Sequence, residues 1–312
     1  MKTLLNQIEQ KQLQKKSTLE SEVYESTEMS PENILPILIS VDSFHPLWHE
    51  WRAISEHVAS FEFRRSPGRN MYFLVKNEYD GKNLGIIDVA ADFISLGERD
   101  KYIGWSKEDR MKRNRNIANI SICVPTRMFG YNMSGGKLLA LLAISDEVIQ
   151  KWEEKYGDKL VGVTVTSLYG RGTQYNRLKY FKYLGVTKGQ GSNQIPDKTY
   201  KMLRDAVIEH DGKIPSGEFT RGKNSRMSIV RKGCKILGLK SSELTTHGNK
   251  RGIYWADLSP NTKDFLCQKI DDLEYYELSK EYLVSYWKET WAYRRLQNLE
   301  KENKLLTKKT FF

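Results

Sequence analysis

The chain is most easily bounded by what it lacks. No apolar run in its 312 residues approaches the roughly eighteen needed to cross a bilayer. Its first residues, MKTLLNQIEQKQLQKK, have no apolar centre of the kind a secretory signal needs. Cysteine is scarce: Cys123, Cys234 and Cys267 are far apart and odd in number, so no disulfide framework and no CxxC site follows. A reducing, cytoplasmic setting with no membrane partner is expected. Two catalytic signatures are missing as well. The P-loop spacing GxxxxGK[ST] does not occur, and the zinc-protease HExxH fails because His49-Glu50 is followed at the needed position by Ala53. There is no internal repeat. What the chain does have is positive charge, 50 Lys and Arg against 39 Asp and Glu, for a formal +11. Such a balance favours anionic partners, nucleic acid first among them and DNA ahead of RNA, against the plainer reading of a solvated basic surface.

The pattern along the chain reads as α/β. Residues 1–30 are polar and charge-rich, a tail or frayed helix. Residues 31–191 read as a mixed α/β core. It opens with the extended segment 33–41 and a Trp/His-rich helix, HPLWHEWRAISEHVASF. A hairpin follows, from 70–77 and 83–95, turned at Asp80-Gly81. A charged stretch at 96–116 leads to a buried strand, 116–125, closed by Pro125. A single helix is expected from about Ser134 to Tyr156, then a strand ending near Ser167, then a helix over 173–184. The third strand, its helix and the fourth strand make a βαβ unit within a mixed central sheet. Residues 192–248 read as a basic helical insertion with a helix at 197–210. Residues 249–312 supply a closing strand and a long C-terminal helix.

Several stretches could carry chemistry. At MSGGKLLALL (133–142), glycines open a helix, and free N–H groups at Ser134, Gly135, Gly136 and Lys137 could hold a phosphate or the pyrophosphate of a cofactor such as coenzyme A. An ordinary helix start capped by Ser134 is the alternative. The aromatics Tyr175, Tyr180, Phe181 and Tyr183 offer either a phenolic acid or core packing. His45 and His49, four apart, faintly suggest a metal pair, and His57 a general base; no metal site is assigned. Segment 98–116 interleaves Tyr102 and Trp105 with cations, either as a base-stacking surface or as a solvated helix with Trp105 docked in the core. Between Phe219 and Ser242 there are seven Lys/Arg and no acid. A helical module presenting Arg221, Lys223, Arg226, Arg231, Lys232 and Lys235 to a polynucleotide is the favoured reading there. The C-terminal stripe Trp287, Trp291, Leu296 and Leu299 would dock on the domain or meet a partner chain.

Two resemblances rest on these residues. The glycine turn before a helix, then a strand and "YLGV", resembles the GNAT N-acyltransferase superfamily. Gly135, Leu138 and Leu139 match its cofactor turn. Met133 stands in place of that turn's first glycine, and Phe181 in place of the usual helix tyrosine. The closer resemblance is to the Druantia DruA-like family, found in anti-phage defence loci and mobile elements. It rests on RDKYIGWSKEDR (99–110), Asn114, Asn119, the strand ending at Pro125, Trp152, Tyr156-Gly157, Gly172-Thr173-x-Tyr175, LGVTKGQG (184–191) and GIYWADL (252–258).

Together the resemblances imply a GNAT-like core that transfers an acyl-type group on, or guided by, nucleic acid. Acetyl-CoA or another acyl donor would lie at Ser134–Lys137, with Ile122 and Val124 lining the cleft through their backbone. His57, Tyr175 or Tyr183 would move the proton. The alternative is a noncatalytic DNA- or RNA-binding accessory protein of a defence or mobile-element system.

Overall fold

The structure is a computed structural model that describes residues 30–58, 68–189, 195–212, 225–246 and 248–306. It is a mixed α/β fold on one seven-stranded sheet. In chain order the elements begin with β1 (Pro36–Val41), α1 (Trp48–Val58), β2 (Asn70–Asn77) and β3 (Asn83–Ala91). Next come α2 (Gly97–Ile103), α3 (Lys107–Arg113), β4 (Ile117–Pro125), α4 (Arg127–Met133), α5 (Gly135–Leu142), α6 (Asp146–Tyr156), β5 (Gly162–Ser167) and β6 (Phe181–Val186). The remainder is α7 (Asp197–Asp211), α8 (Ser225–Ile236), α9 (Ser241–Thr245), β7 (Gly252–Asp257), α10 (Thr262–Leu266) and α11 (Lys280–Trp287), the last running through a π-helical stretch, Lys288–Ala292, into α12 (Tyr293–Lys301). No helix among the described residues is long and apolar enough to cross a membrane.

Strand order is β1-β2-β3-β4-β5-β7-β6. β4 and β5 run parallel, and every other neighbouring pair is antiparallel. The hairpin of β2 and β3 turns where Asp80-Gly81 indicates, with Gly81 at φ 70° and Asn77 N donating to Lys82 O. A bulge at Ser121 shifts the β3–β4 register between Asp88 and Val89. An extra residue re-aims the side chains beyond it. Ala118 and Ile120 therefore face the large core, while Ile122 faces α1 and packs with Trp51, Tyr72 and Ile86.

The large core lies on the face covered by α4, α5, α6 and the C-terminal helices, and includes Phe129, Leu138, Trp152, Tyr254 and Trp287. Trp287 and Leu299 are buried against the fold, so the C-terminal stripe docks on its own chain. A third cluster joins Ile103, Trp105, Ile117, Trp255 and Phe265.

Two expected elements differ. The single helix over 134–156 is two helices, because Ala143–Ser145 leave the helical ladder and Asp146 N donates to Leu278 O. The helix expected over 173–184 is absent. Residues 173–180 form turns with Arg177 and Tyr180 at positive φ, and Phe181–Val186 is an edge strand paired with β7. Lys182 between Phe181 and Tyr183 gives the strand alternation, and at Gly185 (φ 132°) the β6–β7 register shifts.

Candidate functional site

β4 and β5 pair only from Ile117–Gly162 to Ile120–Val165. Beyond that, β4 continues to Pro125 on β3 alone, and β5 to Ser167 on β7 alone. The two parallel strands part, and α5 begins at their C-terminal ends. Ser134 enters the helix in the left-handed region at φ 57° and makes no side-chain cap. Its carbonyl instead accepts from Trp287 Nε1 at 3.2 Å.

The gap is closed by the chain itself. Gln174 donates through Nε2 to Cys123 O at 2.9 Å. Its Oε1 lies only 2.3 Å from where a Cβ on Gly136 would stand. Gly135 is held equally close by the Phe129 ring. Lys137 N donates to Ser134 O at 2.9 Å. The Lys137 ammonium donates to the carbonyls of Gln174 (3.1 Å) and Asn176 (2.7 Å) and sits 4.0 Å from the Trp291 ring centre. Burial, with repulsion from Arg177, lowers its pKa to about 8. Tyr175 is buried between Phe181 and Tyr254. That burial raises its phenol well above the ordinary range, and the same burial raises Cys123 to about 12. Both stay neutral.

Of the residues singled out in the sequence, Ser134, Gly135, Gly136, Lys137 and Tyr175 thus meet at this gap. Tyr183 lies on β6 with its ring against Tyr254 and under Arg171. Ile122 and Val124 turn their side chains to the other face. His57 falls in the last turn of α1, and its side chain lies outside the described residues. His45 precedes α1, with Nδ1 accepting from Leu47 N, while His49 Nδ1 meets Pro46 O. No group of three His, Cys, Asp or Glu suited to a metal occurs among the described residues. Gln174, which the sequence reading passed over, is the side chain that fills the gap. Only its three-dimensional position reveals that.

The residues match no acyl-CoA pyrophosphate as they stand, because the cradle of Gly136 is occupied by Gln174 and the amide of Lys137 is spent on Ser134.

The two basic stretches behave differently. Within 98–116, Arg99 is fully buried and bonds to Asp92, to Asp100 and to Phe93 O. Asp100 also holds Arg110 and accepts from Trp105 Nε1. Burial pushes the Asp92 carboxyl up against the pull of Arg99. Tyr102 donates to Asp257, which Lys182 also reaches at 2.9 Å. Arg113 pairs with Asp271, and Arg115 with Asp158.

In the second stretch, α7, α8 and α9 enclose a small core of Ile195, Leu203, Val230 and Cys234. Gly233 lets α8 press on α7, since a Cβ there would meet Leu203 O at 2.7 Å. α8 ends in a four-residue turn, Leu237–Lys240, with Gly238 at φ 69° and Leu239 N donating to Cys234 O at 2.7 Å. Arg226 pairs with Asp197 and lies on the Tyr200 ring, and Lys232 pairs with Asp211. Arg231, Lys235 and Lys240 are exposed and make no ion pair among the described residues. Arg221 and Lys223 lie outside the described residues.

Comparison with known proteins gives a consistent answer. The family described as Druantia protein DruA matches residues 1–268. A curated relative, Druantia protein DruA of Escherichia coli (strain UMEA 4076-1), is 29% identical over 264 residues, covering 77% of this chain. The aligned region spans 63% of that relative's own length. No solved structure matches the chain. With the family match running from the first residue through the sheet, the gap and the helical unit, the chain belongs to the DruA family.

Proposed function

We propose that this DruA family member binds nucleic acid, and DNA in particular, through α8, the turn after it and the start of β7, in the setting of phage defence or mobile elements. One observation carries the reading. Arg231, Lys235, Lys240, Lys250 and Arg251 are all exposed, and none has a carboxylate partner among the described residues. A cation free of internal partners can release counterions from a phosphate backbone when it binds. Arg231 and Lys235 lie on a twelve-residue helix, and the major groove of duplex DNA admits a helix. The gap at α5 adds support from the other side, since it is filled by protein side chains.

Fluorescence anisotropy with a labelled 20-base-pair duplex over a salt series tests the reading. The expected result is binding that weakens steeply with salt, and a triple variant Arg231→Ala/Lys235→Ala/Lys240→Ala with a clearly shallower salt slope. A triple variant that binds like the parent at every salt concentration would overturn it.

A second reading, an acyl-type transferase with a GNAT-like core, draws support from the parting of β4 and β5 above a glycine helix start. It requires the turn 173–178 to withdraw from Gly136. Calorimetry of the parent and of Gln174→Gly with coenzyme A and acetyl-CoA decides it, and no heat from either protein ends it.

A further inference from the structure

We infer that the loop after β5 forms a platform for unpaired bases, so that the nucleic acid held here is a duplex with a single-stranded tail. This rests on the nucleic-acid reading above and adds which part of the ligand meets which part of the fold.

The loop leaves the sheet at the C-terminal end of β5 and places Leu168 (42% exposed) and Tyr169 (67% exposed) at the surface. It is fixed from below. Tyr254 Oη donates to Arg171 O at 2.7 Å. Gly170 O packs so tightly on the start of β7 that a Cβ on Gly252 would lie 2.2 Å from it. Arg171 lies against the Tyr183 ring and keeps its guanidinium exposed.

That same end of the sheet carries the ends of β6 and β7. Thr187 N donates to Arg251 O at 2.8 Å, and Arg251 N donates to Thr187 Oγ1 at 3.0 Å. Arg171, Lys188, Lys250 and Arg251 are therefore gathered along one edge. All four are exposed, and none joins an ion pair among the described residues. No Asp or Glu occurs anywhere between Asp158 and Asp197.

An exposed aromatic ring set among uncompensated cations is what single-strand binding needs: bases stack on the ring while the cations follow the phosphates. A blunt duplex gains nothing from the ring, because its bases are already stacked within the helix. The edge continues through Lys250 and Gly248 into the chain that leads to the helical unit.

The test uses the full chain and three labelled probes: a blunt duplex, the same duplex with a ten-nucleotide tail, and the tail alone. The parent is expected to bind the tailed duplex roughly five- to a hundred-fold more tightly than the blunt one. Tyr169→Ala should abolish that preference and leave blunt-duplex binding unchanged, while Tyr169→Phe, which keeps the stacking face, should retain it. A parent that binds blunt and tailed probes alike overturns the inference alone. So does a Tyr169→Ala protein that keeps the preference. A parent that binds none of the probes overturns the nucleic-acid reading and the platform with it.

Discussion

Two basic stretches that look alike on paper are treated differently by the fold. In 99–115 the four arginines all meet carboxylates, whereas Lys101 and Lys107 stay exposed. Arg99 lies between Asp92 and Asp100 with no exposure, Arg110 joins the same carboxylate, and Arg113 and Arg115 reach Asp271 and Asp158. In 226–251, Arg226 and Lys232 tie the helices together, whereas Arg231, Lys235, Lys240, Lys250 and Arg251 stay exposed. The lesson is that charge density alone does not distinguish a brace from an open cationic face. What distinguishes them is which carboxylates come within reach: Asp92 and Asp100 stand close by in the sequence, while Asp158 and Asp271 are brought up by the fold.

The sharpest way to break this contrast is at its most buried point. Arg99→Met should cost about 3–5 kcal/mol of stability, because it leaves Asp92 buried without its counter-charge. Urea unfolding measures this, and a loss below about 1 kcal/mol would mean that the segment is not a brace.

A smaller effect is expected at the waist of the helical unit. Gly233→Ala should destabilise it by about 1–3 kcal/mol, since the new methyl must displace the Leu203 backbone. DNA affinity should fall although no charge is removed. Thermal unfolding followed alongside anisotropy reads both effects, and unchanged affinity would detach binding from the packing of α7 on α8.

Arg231→Ala/Lys235→Ala should leave stability within about 0.5 kcal/mol of the parent and flatten the salt dependence of binding by about two units of slope. A stability loss comparable to that of Arg99→Met would erase the distinction between the two stretches.

The subtlest test lies at the filled gap. The Lys137 pKa is lowered to about 8, so above that value the native state has given up a proton that the unfolded chain retains up to its ordinary value near 10.5. Stability should therefore rise with pH across that window on account of this residue. Lys137→Met should remove that part of the slope. Denaturant midpoints between pH 7 and 10 would reveal it, and identical slopes in parent and variant would place the ammonium in solvent.

Much of the sheet is legible in the sequence. The hairpin strand 70–77 occupies Asn70–Asn77, and β4 ends at Pro125, because alternation, Asp80-Gly81 and proline act locally. What escaped depends on distant partners. The break at Ala143–Ser145 exists because Leu278 receives the Asp146 amide. The aromatics of β6 fit the helical period as well as the strand one, and only pairing with β7 decides between them. The glycine start of α5 is legible in the sequence, but what packs on it is not, since Gln174 carries no local mark of the role. The basic segment at 98–116 fits either a stacking surface or a docked helix by sequence alone. The burial of Arg99 and Trp105 resolves it towards the core.

The position of β7 between β5 and β6 has one more consequence. β6 and β7 are adjacent antiparallel strands, Val186 stands opposite Gly252, and the backbones at Gly189 and Gly248 nearly touch, a Cβ on the former falling 3.3 Å from the latter. Topologically, the helical unit is an overgrown hairpin turn suspended from a narrow neck. A neck of that kind can be severed and rejoined by a short glycine linker without altering the pairing of either strand. The unit could thus be excised, exchanged or enlarged as a pendant while the sheet beneath it keeps its register.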